Sequence, residues 1–219
     1  QADKSYPTTV STYANNVIFR SVRSYAAGKP PKAAAGQKAQ TLNPTTWEVA
    51  ASWYLLPEEP MQPRYYDSRV GYFAYGKTDY TRDPLKAEKI SMVSRWRLEP
   101  KDVEAYKRGE LVEPVKPIVF YVDRNTPEYL QPYVIEAVNA WQSALERIGF
   151  KNAIIGKLAP TPEEDSTFSV EDARYSFISY KASPMPNAYG PHVADPRSGE
   201  IICSHVGLFH NVLSLVQSW

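Results

Sequence analysis

A chain of 219 residues with 25 Lys and Arg against 24 Asp and Glu has a formal charge of +1, which gives no electrostatic reason to expect nucleic acid as a partner. Apolar residues at 43% and charged residues at 22% exclude wholesale disorder and leave enough material for a buried core. The single cysteine, Cys203, excludes an internal disulfide and a cysteine-built zinc finger, and no apolar run reaches the roughly 18 residues of a membrane span.

Nineteen prolines, sixteen tyrosines and five tryptophans predict strands and extended loops in preference to long helices. No charged-then-apolar leader is legible at Gln1, so the expectation is a removed leader or an excised piece. Residues 17–22 and 47–56 are β-branched and aromatic runs that read as strands, joined through a basic Gly-Pro-Ala loop at residues 28–36. The prolines at 60 and 63 force an extended entry into a segment that predicts a strand over residues 70–75. A second strand is expected over 90–98, where Arg95 and Arg97 alternate with Trp96 and Leu98. Asp102 to Arg108 predicts a short helix stopped by Gly109.

Near Pro114 the pattern changes, and the sequence divides there into a β-rich region, residues 1–114, and a second region, residues 115–219. Residues 117–122 form a continuous apolar run, as in a strand buried on both faces. Thr126-Pro127-Glu128 looks like a helix start, but Pro132 predicts one loose turn before the regular helix begins. From there Val134, Ala137, Val138, Trp141, Leu145 and Ile148 fall on one helical face, and Gly149 supplies the stop. With residues 152–156 as a following strand, the unit is βαβ with a right-handed crossover. A strand at 175–180 and a hairpin with arms 188–193 and 200–206, turning at Asp195-Pro196-Arg197-Ser198-Gly199, complete a mixed sheet. Leu208, Val212, Leu215, Val216 and Trp219 lie at helical spacing and break off uncapped, which leads one to expect a further segment to cover them.

No complete catalytic set is legible. A zincin helix needs two histidines four apart with a glutamate between, whereas His205 and His210 are five apart without one. His192, Asp195 and His205 are candidates for a structural metal across the hairpin, weighed against ordinary surface or satisfied polar roles. Cys203 and His205 share a strand face but lack a third orienting group, so a buried structural cysteine is the expectation. Glu163-Glu164-Asp165 reads as a solvated loop in preference to a calcium ladder.

Several segments nevertheless carry a resemblance. Pro60-Met61-Gln62-Pro63-Arg64-Tyr65-Tyr66-Asp67-Ser68-Arg69-Val70-Gly71-Tyr72-Phe73, Arg95-Trp96-Arg97-Leu98, Lys116-Pro117-Ile118-Val119-Phe120-Tyr121-Val122-Asp123 and Asp195-Pro196-Arg197-Ser198-Gly199-Glu200-Ile201 resemble, in order and spacing, a bacterial family of met-zincins, metzincin-like zinc metalloproteases. The likeness runs from about Trp47 to the end of the chain. It implies an α+β fold: a β-rich N-terminal region, then a mixed sheet with a backing helix forming the upper half of a metzincin-like catalytic domain. It also implies that the zinc motif lies beyond Trp219, so that no catalytic or metal-binding residue is assigned within this chain. The function implied is the scaffold and substrate-binding part of a zinc metalloendopeptidase, noncatalytic by itself, with zinc as cofactor only of the parent protein. The alternative is a noncatalytic binding or regulatory module with a protease-like fold.

By the same resemblance, Ala188, Tyr189, Gly190, Pro191, His192 and Val193 form an edge strand to which a peptide or protein substrate adds. The other partner implied is the remaining half of the catalytic domain, and the location is secreted or envelope-associated. A further expectation is weighed for Asp67: a latency carboxylate facing the metal site, or a plain ion pair with Arg64 or Arg69.

Overall fold

The computed structural model of the chain describes residues 4–28 and 43–218, so most of the basic loop at 28–36, and Trp219, lie outside the described residues. The fold is α+β, with β-rich sheets first and a mixed sheet with few helices after them. Two compact units are formed, Gln1–Leu55 and Leu56–Trp219. Pro114, where the sequence pattern changes, lies inside the second unit, buried in a bridge with Pro100.

The first unit is an antiparallel sheet of β1 (Tyr6–Thr12), β2 (Asn16–Tyr25) and β3 (Thr45–Tyr54), in that order. Val10, Phe19, Trp47 and Trp53 are exposed on it, although Asn16 and Ile18 of β2 are buried.

The second unit opens with a hairpin, β4 (Ala74–Asp79) and β5 (Glu88–Val93). Residues 70–73, expected to be strand, are not. The Val70 N–H turns back to Asp67 O at 3.0 Å and the Tyr72 N–H to Val70 O at 2.9 Å, so local turns occupy the donors a ladder would need. The expected 90–98 strand likewise ends at Val93, because the Ser94 N–H bonds Phe73 O and the chain then leaves the hairpin. Helix α1 (Val103–Lys107) forms as expected: Asp102 Oδ1 accepts from the Ala105 N–H at 2.8 Å, and Gly109 stops the helix at φ 84°. A core of Ala105, Val112, Phe150 and Ala153 lies beside it.

The βαβ unit consists of β6 (Ile118–Val122), α2 (Gln131–Asn139), α3 (Gln142–Glu146) and β7 (Ile154–Leu158), with β6 and β7 parallel. The chain makes a turn at Pro127–Leu130 before α2 begins with proline in its first turn. One continuous amphipathic helix was the expectation; the structure breaks it at Ala140–Trp141. There the Trp141 N–H bonds Val138 O, three residues back, while the Gln142 amide donates to Phe150 O at 3.0 Å and accepts from the Ala153 N–H at 2.9 Å. Tethering to residues 150–153 fixes α3 separately and leaves Trp141 exposed. Helix α2 packs closely where β7 has Gly156, since a Cβ there would stand 2.9 Å from Ile135 O.

The sheet continues with β8 (Ser176–Lys181), β9 (Ala188–Tyr189), β10 (His192–Ala194) and β11 (Ile201–Phe209). Its order is β10-β11-β8-β6-β7, with β9 also on β11. Strands β7, β6, β8 and β11 are parallel; β9 and β10 run antiparallel to β11 at the edge. The last helix, α4 (Val212–Gln217), starts later than the apolar spacing suggested, because Leu208 and Phe209 belong to β11. Leu213 and Val216 are exposed. Among the described residues no helix is long and apolar enough to cross a membrane.

Candidate functional site

Residues 188–194, which include the expected edge segment Ala188–Val193, lie at the edge of the sheet, with β11 on one side and no strand on the other among the described residues. The direction of their polar groups follows from one contact. The His205 N–H donates to Pro191 O at 3.1 Å, so Pro191 turns its backbone toward β11. In an antiparallel ladder alternate residues turn opposite ways, and Tyr189, paired with Gly207, has the same parity. Ala188, Gly190 and His192 therefore direct their N–H and C=O groups away from β11. The Ala188 N–H is already satisfied by Asn187 Oδ1 at 2.8 Å, whereas those of Gly190 and His192 face outward. The donor that Pro191 lacks would have pointed inward; its absence interrupts the ladder between β9 and β10 and leaves the outer row intact.

Side chains alternate across this edge. Tyr189 lies beside Gly207, where a Cβ would come within 2.2 Å of its ring, and packs on Phe209 with centroids 5.6 Å apart. His192 pairs with Ser204 and so projects on the face opposite to His205. On that face the His192 ring meets Phe73, centroids 6.4 Å apart and tilted by 58°. His205 packs instead against Phe177 at 6.2 Å, and its desolvation there lowers its pKa below the ordinary imidazole value.

The metal candidates do not converge. His192 and His205 face opposite sides of the sheet. Asp195, fully buried, spends its carboxylate on Arg197, whose Nη2 lies 2.8 Å from Oδ2 and whose N–H donates to Oδ1 at 2.8 Å. Among the described residues no group of three or more His, Cys, Asp or Glu is placed to hold a metal. The zinc implied by the resemblance therefore has no ligand set in these residues. Asp67 is likewise committed: Arg69 grips it through Nε at 2.9 Å and Nη2 at 2.5 Å, which is the ion-pair alternative. His210 pairs through Nδ1 with the Tyr180 hydroxyl. Cys203 is buried, and loss of water pushes its thiol up to about 11, which leaves it without useful thiolate near neutrality. Glu164 and Asp165 cap their own loop, accepting from Thr161 and Thr167.

A cavity of about 220 Å³ lies at the N-terminal ends of β6, β8 and β11, with Trp96, Lys116, Tyr121, Tyr175 and Glu200 among its walls. Its arginines are already paired: Arg97 Nη2 with Glu200 at 2.6 Å and Arg174 Nη2 with Asp172 at 2.6 Å. Glu200, the carboxylate in this lining, is therefore taken up by Arg97. The pairing of Arg97 with Glu200 spans 103 residues and was not legible in the sequence, nor was the approach of Phe73 to His192.

Residues 1–101 match the family model of a domain of unknown function, DUF5117. The matched segment ends before the mixed sheet begins. No curated protein and no solved structure matches the chain.

Proposed function

We propose that this chain is the scaffold and substrate-binding portion of a secreted or envelope-associated zinc metalloendopeptidase, noncatalytic by itself, with residues 115–219 as the upper half of its metzincin-like domain. The observation that carries this reading is the antiparallel edge at Ala188–Tyr189 and His192–Ala194, whose outward Gly190 and His192 groups suit the addition of an extended peptide. The order of motifs from Trp47 onward supports it, as do the parallel strands with a helix backing β6 and β7. Peptide-bond cleavage requires metal ligands and a glutamate base that the 219 residues do not contain as His-Glu-x-x-His.

The gene read past Trp219 tests this directly. We expect His-Glu-x-x-His and a third histidine within about one hundred residues, roughly one domain half. The longer protein should take up one zinc and cleave peptides in a chelator-sensitive manner, and changing the motif glutamate to glutamine should abolish cleavage while retaining the metal. A continuation without that motif would transfer the edge strand to a noncatalytic binding module.

A further inference from the structure

We infer that Phe73, together with His192, forms a side-chain subsite beside the edge strand that selects an aromatic or large apolar residue in the bound peptide. The inference rests on the proposed addition of a peptide at this edge, and it names what such a peptide must carry.

The geometry follows from pairing rules. A peptide adding antiparallel to His192–Ala194 brings one residue directly opposite His192, with its Cβ about 4.5–5.5 Å from that of His192 and on the same face of the sheet. The Phe73 ring, 6.4 Å from the His192 ring, lies on that face. Phe73 is 82% exposed, so almost its whole ring surface is available for contact with a guest. Its backbone is held, because Phe73 O accepts from the Ser94 N–H at 2.8 Å and β4 begins at the next residue. A fixed backbone with a solvent-facing ring can cover a guest side chain without ordering a loop. Tyr72, 60% exposed, adjoins it in sequence. Peptide residues on either side of the guest position face the opposite side of the sheet, away from Phe73. Selection therefore falls on one residue of the peptide and spares its neighbours.

The test uses the 219-residue chain and two blocked pentapeptides, acetyl-Thr-Ser-Phe-Ser-Thr-amide and the same peptide with alanine at the centre, titrated by amide and aromatic NMR shifts. The phenylalanine peptide should bind about three- to tenfold more tightly, the range expected of an aromatic pair, with shifts at Gly190, His192 and the Phe73 ring. Phe73→Ala should bring the ratio of the two affinities to within about twofold, and Phe73→Trp should restore the preference. Because Phe73 is exposed, neither substitution threatens the fold. Equal affinities in the native chain, or a preference that survives Phe73→Ala, would overturn the subsite while leaving peptide addition at the edge standing. If neither peptide shifts residues 188–194, addition at the edge itself is wrong and the subsite falls with it.

Discussion

Replacing Gly199 by alanine should lower unfolding stability by about 3 kcal/mol or more, since two separate costs meet at this residue. Gly199 has φ 77°, in the left-handed region that an alanine Cβ resists. The new Cβ would also stand 2.4 Å from Val93 O and 3.2 Å from Val93 C. Both are backbone atoms of a β5 residue that is itself buried, so the clash cannot be relieved by turning a side chain. Gly199 O accepts from the Arg95 N–H at 3.0 Å, and the Ile201 N–H returns to Arg95 O at 2.9 Å. These two bonds dock the segment after β5 onto the start of β11. Urea unfolding gives the stability change, and amide exchange at Arg95 and Ile201 should accelerate first. Gly76→Ala is the control: its methyl meets only Ser91 Oγ at 3.7 Å, so the midpoint should hardly move. A loss below about 0.5 kcal/mol for Gly199→Ala would show that the turn relaxes freely.

The neighbouring Asp195 should yield the second large effect. Its side chain is wholly buried and receives three groups of Arg197, while its own main chain takes the Gly199 N–H at 2.8 Å and gives its N–H to Glu200 O at 2.8 Å. Asp195→Ala leaves Arg197 with only Pro57 O of these acceptors, at a cost of about 2–3 kcal/mol, moderated because the guanidinium is half-exposed. Asp195→Asn keeps one acceptor for the Arg197 N–H and should cost roughly half as much. The acid dependence has a definite sign. Burial pushes the Asp195 carboxyl up, but the side chain and N–H of Arg197 more than reverse that and hold it below its ordinary 3.8. A depressed native pKa contributes stability that is complete above the unfolded pKa, about 3.9, and is lost as pH falls through the native value. The gap between the native chain and Asp195→Asn should therefore be constant near neutrality, shrink below about pH 4, and close in stronger acid. Asp172, gripped by Arg174 in the same way, adds to the acid loss of the native chain in the same window. A gap that persists unchanged at pH 2 would rule out the charge as its source.

What the sequence made legible was local. The short helix after Asp102, the stop at Gly109, the proline-delayed start of α2 and the turn at residues 195–199 depend on neighbours within a few residues, and each formed as read. The edge position of residues 188–193 came from the resemblance and not from local spacing, and Pro191, which has no N–H to donate, acts on the inner ladder and not on the open side. Features set by distant partners were not legible. The Trp141 position satisfied helical periodicity, yet the tie between Gln142 and Phe150 broke the helix there. Asp195 looked like a metal candidate because its type and place fitted; the deciding fact was the arginine two positions on. Asp-x-Arg recurs at 67–69, 172–174 and 195–197, and in all three the arginine closes on the aspartate. That repeat was visible in the sequence and would have removed the candidate. The contacts of Phe73 with His192 and of Arg97 with Glu200 join segments more than one hundred residues apart and carry no local signal.

The slip in register at this edge bears on what kind of strand could pair with it. An open strand edge is a template for any other strand, including the same edge of a second copy. Here the pairing with β11 is missing a donor at Pro191, although Ala188 to Val193 keep one register, and the register slips between Val193 and Ala194. A second folded copy would present an edge with the same slip, so two such edges would stay in step over only the few residues before it. A lone unfolded peptide has no shape of its own to defend and can bend to follow each break. An edge of this shape would therefore favour a pliable chain over a stiff one such as a second folded copy.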